Sequence, residues 1–164
     1  MSIGTARAAL PVRSDVDLMA VREAARGAAA EAGFSLVNQT KLVTAVSELA
    51  RNAVVHGGGG EVLVEPVQGT LRGVRLVVSD HGPGIADIDQ ALTDGHTTGQ
   101  GLGLGLGGAR RLVDEFRIES APGAGTTVTI TMWAAPIRSV PDSRASGARA
   151  PGLPPIRPRM SFRP

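Results

Sequence analysis

Glu48 and Asn52 stand four residues apart in a run whose apolar spacing predicts a helix over residues 36–55, so both project from one helical face about a turn apart. A carboxylate and a carboxamide on a face that must bury itself are costly unless they are used. The Asn oxygen is a hard ligand suited to Mg2+, and the Glu can orient or deprotonate a nucleophile. Asp80, with Gly82, Pro83 and Gly84 after it, closes an apolar run read as a strand. An aspartate at the carboxyl end of a strand lies at the sheet rim, where its carboxylate can accept from the exocyclic amine of adenine. Six glycines fall among residues 99–108, alternating with Leu102, Leu104 and Leu106 and running into a helical segment. Such glycines bare backbone N–H groups at a helix start, which suits phosphate oxygens.

Each feature also has a plainer reading. Glu48 and Asn52 fit a solvated helix face, Asp80 with Gly82 an ordinary turn, and the glycines a flexible loop. Better-known signatures do not fit. Gly103, Gly105 and Gly108 match the spacing of the dinucleotide fingerprint, but His96, Thr97, Thr98 and Gln100 stand where its apolar strand belongs. No Gly-Lys-Ser/Thr follows, the large protein-kinase signatures are missing, and no nucleophile elbow is present. His56, His81 and His96 lack metal-ligand spacing.

The elements that would position these residues alternate clearly. A strand is predicted over residues 8–13, then a helix over 15–32 capped by Ser14 and stopped by Gly33, with Val16, Met19, Val21, Ala24 and Ala28 on its buried stripe. The 36–55 helix buries Leu42, Val43, Val46, Leu49 and Ala53 and ends at the glycine run 57–60. Strands follow over 62–64 and 74–80, a polar loop over 85–101, a helix over 104–113, and strands over 115–120 and 126–133. In the last strand Val128, Ile130 and Met132 share one face. The expectation is an α/β (α+β) two-layer sandwich, a mixed and mostly antiparallel sheet with helices on one face.

With 164 residues, one domain with a real core is expected. The chain has no cysteine, which excludes disulfides and thiolate metal sites. It has one Trp, three Phe and no Tyr, so the stacking platforms of most single-strand nucleic-acid binders are missing. The net charge of +2 is unevenly spread: residues 134–164 carry six arginines and only Asp142, so the preceding 133 residues are mildly acidic. An acidic domain is a poor phosphate-backbone binder, and no nucleic-acid partner is expected. Residues 134–164 also hold seven of the eleven prolines and read as a disordered tail after a domain spanning 1–133. With no membrane span and no signal peptide in the pattern, a cytoplasmic location is expected.

Taken in this order, the three sites resemble the GHKL (Bergerat-fold) ATPase superfamily. Glu48 and Asn52 are similar to its N box, Asp80 with Gly82 and Gly84 to its first glycine box, and residues 101–108 to its second. Gly125 with Thr126 is similar to the final element, whose threonine supports the adenine site. Within the superfamily, residues 47–52, 79–85, 94–98 and 110–119 look like the RsbT-type switch kinase. The resemblance implies ATP and Mg2+ as cofactors, Asn52 as metal ligand, Glu48 as general base toward a serine hydroxyl, and Asp80 reading adenine. It places Gly82, Gly84, Gly101, Gly103, Gly105 and Thr126 around the nucleotide, with Thr97 and Thr98 in a short lid. It further implies a protein-serine kinase that phosphorylates a STAS-domain antagonist in a stress-response sigma-factor pathway, then engages a PP2C-type phosphatase activator. Related members bind a sigma factor directly, and an ATP-binding scaffold without transfer is a third reading. Residues 85–100 contain no Lys or Arg, so charge on a γ-phosphate must be met by Mg2+, by backbone N–H groups, or by Arg51 or Arg110. The Pro/Arg-rich tail departs from the family pattern and leaves room for a further partner.

Overall fold

The computed structural model describes residues 7–93 and 105–135. Their elements run β1 (Ala8–Val12), α1 (Asp15–Glu31), α2 (Leu36–Val55), β2 (Gly60–Gln68), β3 (Arg72–Asp80), α3 (Ile88–Ala91), α4 (Gly105–Leu112), β4 (Glu115–Ser120) and β5 (Thr126–Trp133). The strands form one sheet in the order β1-β2-β3-β5-β4. All four pairings are antiparallel, which corrects the expectation of a mixed sheet. Each strand alternates, so one sheet face is apolar: Val62, Val64, Val74, Leu76, Val78, Val128, Ile130 and Met132 are buried beneath the helices. The opposite face carries charge, with Glu65 between Arg7 (2.9 Å) and Arg75 (3.9 Å) and Arg117 beside Glu119. That contrast fixes the helices to a single face.

α1 and α2 form an antiparallel hairpin whose turn is specified locally. Gly33 adopts φ 84°, the Phe34 N–H reaches the Ala29 carbonyl (2.9 Å) and the Gly33 N–H reaches that of Ala30 (3.1 Å). This is a Schellman ending, and Phe34 is buried behind it. The Ser35 hydroxyl then accepts from the Asn38 N–H (3.2 Å) to open α2. Ser14 is at the N-cap of α1 as expected, but its side chain makes no cap bond; Asp17 instead accepts from the Arg13 N–H (2.9 Å).

The buried side of α1 differs from expectation. Leu18, Val21, Ala25, Ala28 and Ala29 face inward, whereas Val16 and Met19 are 74% and 65% exposed. The expected stripe favoured bulk; the real one is mostly alanine because α1 packs closely on both α2 and the sheet, where larger side chains would not fit. The five residues expected on the buried face of α2 are all buried. β2 outruns its expected span: beyond Val64 only β3 pairs with it, so Pro66 sits where one side of the strand is an edge. The polar loop after β3 holds the short α3, capped by Asp87, whose carboxylate accepts from the Gln90 N–H (3.0 Å).

Candidate functional site

The site is organised at the end of the sheet where α2 stops and β3 ends. Asp80 is the last residue of β3, facing Gly60 across the β2 pairing and Thr126 across the β5 pairing. Its Oδ1 accepts from the Gly82 N–H (2.9 Å), which fixes the carboxylate, while Oδ2 takes no hydrogen bond from any described residue. One oxygen is thus anchored and the other is left to accept from a ligand.

Glycine is required on every side of this carboxylate. A Cβ on Gly57 would overlap Asp80 Cγ and lie 2.6 Å from Asp80 Cβ. One on Gly82 would fall 2.5 Å from the Gly57 Cα. Gly84 and Gly125 both have positive φ (76° and 74°), and a Cβ there would run into the carbonyls of Ala121 and Asp80 respectively. α2 unwinds into this cradle: the N–H groups of Gly57 and Gly59 both reach the Ala53 carbonyl (3.1 and 2.8 Å).

A hydroxyl hub ties the loop after β3 to the β4–β5 hairpin. The Ser120 Oγ accepts from the Ile85 N–H (2.8 Å), donates to the Gly125 carbonyl (3.0 Å) and lies 2.8 Å from Thr126 Oγ1. Since Ser120 has one proton and Gly125 takes it, Thr126 must donate to Ser120. The Thr126 lone pairs remain for a ligand. The Gly123 N–H also reaches the Pro83 carbonyl (2.7 Å).

Glu48 is only 6% exposed, yet no described residue donates to its carboxylate. It is not among fully buried unpartnered atoms, so its oxygens open toward a space rather than into packed core. Asn52, one turn on, is half-buried and also without a described side-chain partner. Ser47, next to Glu48, accepts from Arg22 Nε (2.9 Å) and donates to the Val43 carbonyl, so this turn of α2 is held from α1. α4 packs on α2 and buries Leu106, Gly107 and Ala109, starting at Gly105 with φ 56°.

The structure therefore brings Asp80, Gly82, Gly84 and Thr126 into one cluster, joined to the end of the helix that carries Glu48 and Asn52. Gly105 opens α4 as expected. Thr97, Thr98, Gly101 and Gly103 lie outside the described residues. Sequence reasoning missed Gly57 and Ser120 as parts of the site. Four consecutive glycines at 57–60, more than a helix stop needs, were the available signal for the first; nothing marked the second.

This constellation defines a class. The family model described as histidine kinase-, DNA gyrase B-, and HSP90-like ATPase matches residues 37–136, a span holding every residue of the cluster. The chain belongs to that ATPase family. Among relatives, it is 40% identical over 123 residues to the serine/threonine-protein kinase RsbT of Bacillus subtilis (strain 168), covering 74% of this chain and 92% of the relative. It is 32% identical over 95 residues to an anti-sigma F factor of Thermoanaerobacter sp. (strain X514), covering 55% of this chain and 66% of that one. Among solved structures, that of the RsbU and RsbW domains of a Mycobacterium tuberculosis protein is similar with a TM-score of 0.54 and 27% identity, over 78% of this chain and 32% of the other.

Proposed function

We propose that the chain is an ATP-dependent protein-serine kinase and switch protein, which phosphorylates a STAS-domain antagonist and then engages a PP2C-type phosphatase. The observation that carries this reading is the pair on α2: Glu48 is buried without a donor, one turn from Asn52, on the helix whose end packs on Asp80. Its side chain is mostly buried while its oxygens open toward a space, which leaves the carboxylate available to a ligand. The relationship to RsbT over nearly its whole length supports the same activity.

In this reading Asp80 Oδ2 accepts from the adenine amine, and the glycines around it let the ring lie against backbone. Thr126, its proton held by Ser120, offers an acceptor at the same rim. Glu48 accepts the proton of an incoming serine hydroxyl as that oxygen attacks the γ-phosphorus and the bond to ADP breaks. The donor set suits Mg2+: Asn52 supplies one hard oxygen, and no group of three or more His, Cys, Asp or Glu among the described residues could hold a metal unaided. When bound with ATP phosphates, the ion would neutralise charge developing on the transferred group. Arg51, half-buried beside Asn52, and Arg110, exposed on the last turn of α4, remain the cationic candidates for the γ-phosphate.

Residues 1–133 form the kinase domain in this proposal, and residues 134–164 a Pro/Arg-rich tail. No helix among the described residues is long and apolar enough to cross a membrane. The similarity to an anti-sigma F factor favours one second reading, direct sequestration of a sigma factor with ATP setting the shape of the binding surface. Labelled ATP with Mg2+ and STAS-domain proteins of the same genome separates the two. Serine labelling supports the kinase, whereas sigma-factor capture without labelling supports sequestration.

A further inference from the structure

Arg22, half-buried on α1, makes no ion pair among the described residues. Its Nε instead donates to a neutral hydroxyl on α2, Ser47 Oγ (2.9 Å). Ser47 donates in turn to the Val43 carbonyl (2.6 Å), so its proton is committed and a lone pair is left for the guanidinium. Glu48 is the next residue, turned about 100° around the helix from Ser47. The side of α2 that is tied to α1 therefore sets the side on which the Glu48 carboxylate emerges.

The packing around this bond leaves rotation loosely defined. The inward face of α1 is mostly alanine, with Ala25, Ala28 and Ala29 buried beside Leu18 and Val21. Small side chains let helices approach closely but form shallow ridges, which hold a neighbour's rotation weakly. A directional hydrogen bond between the two helices supplies what that packing lacks. A carboxylate on α2 stands roughly 6 Å from the helix axis, so about 10° of rotation moves it by about 1 Å. Displacement of that size can cost about a hundredfold in a positioned reaction. The nucleotide cradle is anchored separately: Gly57, which meets Asp80, lies ten residues beyond Ser47, or about 15 Å along α2.

We propose that Arg22 is a positioning residue for phosphoryl transfer. Through Ser47 it fixes the rotation of α2, and so the direction in which the Glu48 carboxylate meets the incoming serine hydroxyl. The proposal rests on the reading of Glu48 as the general base. Arg22 acts on the reacting atoms only through α2, so its loss slows the chemical step and spares the binding of ATP.

Two substitutions break the bond from opposite sides. Ser47→Ala removes the acceptor and leaves every α1 side chain in place, while Arg22→Met keeps the stem and removes the donor. Transfer from ATP and Mg2+ to a STAS-domain protein is followed in the full chain, beside calorimetric ATP titration and a thermal melt. Each variant is expected to lower kcat about tenfold or more, with KM for the protein and affinity for ATP within about twofold of the natural chain. The double variant should match the single ones, because all three lack the same bond. Arg22→Lys, which can still donate to Ser47, should recover most of the rate. Natural kcat in Ser47→Ala overturns the proposal, as do additive losses in the double variant. So does an Arg22→Met effect confined to a raised KM for the protein, which would mean that Arg22 touches that substrate directly. Glu48→Gln tells the failures apart. Natural transfer by that variant, or no labelled serine from the natural chain, overturns the base reading and this proposal together; a slow Glu48→Gln beside a natural Ser47→Ala overturns this proposal alone.

Discussion

Gly57 and Asp80 are in direct contact across the seam between α2 and β3, with no room for a Cβ between them. The contact joins the helix that carries Glu48 and Asn52 to the strand that carries Asp80, the proposed adenine acceptor. Gly82 backs onto Gly57 from the other side, so three residues from two elements form one backbone-walled cradle. A position that looks like a helix terminator is thus part of the proposed nucleotide site.

Gly57→Ala tests this relationship. The methyl group would displace the Asp80 carboxyl, so ATP affinity should fall about tenfold or more, near 1.4 kcal/mol. The thermal transition should stay cooperative, because Gly57 lies at the end of α2 and outside the apolar core. Calorimetric titration beside a thermal melt checks both; unchanged affinity would show that the contact does not shape the site.

Asp80→Asn should act differently. Its side-chain oxygen can keep the bond from the Gly82 N–H, but the other position becomes a donor facing the adenine amine. Loss of that acceptor should weaken ATP by about two orders of magnitude, near 3 kcal/mol, with little change in stability. Discrimination against GTP should relax as well, since guanine presents an acceptor at the corresponding edge.

Ser120→Ala removes the hub between the loop after β3 and the β4–β5 hairpin. The Ile85 N–H and the Gly125 carbonyl would each lose a partner, costing about 1–3 kcal/mol. The urea midpoint should fall while the slope is retained. ATP affinity should fall with it, because Thr126 loses the contact that orients its hydroxyl.

Much of this was legible in the sequence, for identifiable reasons. The spans of α2, β4 and β5 agree with expectation because their apolar spacing is regular and bounded by Ser35, glycine and Pro122-Gly123. Asp80, Gly82, Gly84 and Thr126, which the fold brings together, could be singled out only through the order of the three motifs and the family resemblance, because an Asp-Gly pair alone reads as an ordinary turn. The inward face of α1 was misread because alanine at Ala25 and Ala29 packs well only in light of what lies opposite, which periodicity does not contain. The antiparallel pairing of β3 with β5 was hidden because α3, α4 and β4 separate them in the chain. Ser120 was invisible because its three partners lie on segments brought together only by the fold.

Glu48 should matter to activity far more than to stability. Its side chain is mostly buried but its oxygens open toward a space, so Glu48→Leu should change stability by no more than about 1 kcal/mol and abolish transfer. A melting curve beside a phosphoryl-transfer assay checks this; a large fall in stability would mean that the carboxylate is held by a structural interaction.

The central claim is that Glu48 accepts a proton during phosphoryl transfer from ATP to a protein serine. It is tested most directly by following labelled γ-phosphate from ATP and Mg2+ onto a STAS-domain protein, comparing the natural chain with Glu48→Gln. The account predicts serine labelling by the natural chain, and a rate lower by about a hundredfold or more in the variant at unchanged ATP affinity. Equal rates in the two proteins, or ATP binding with no labelled serine in either, would contradict it.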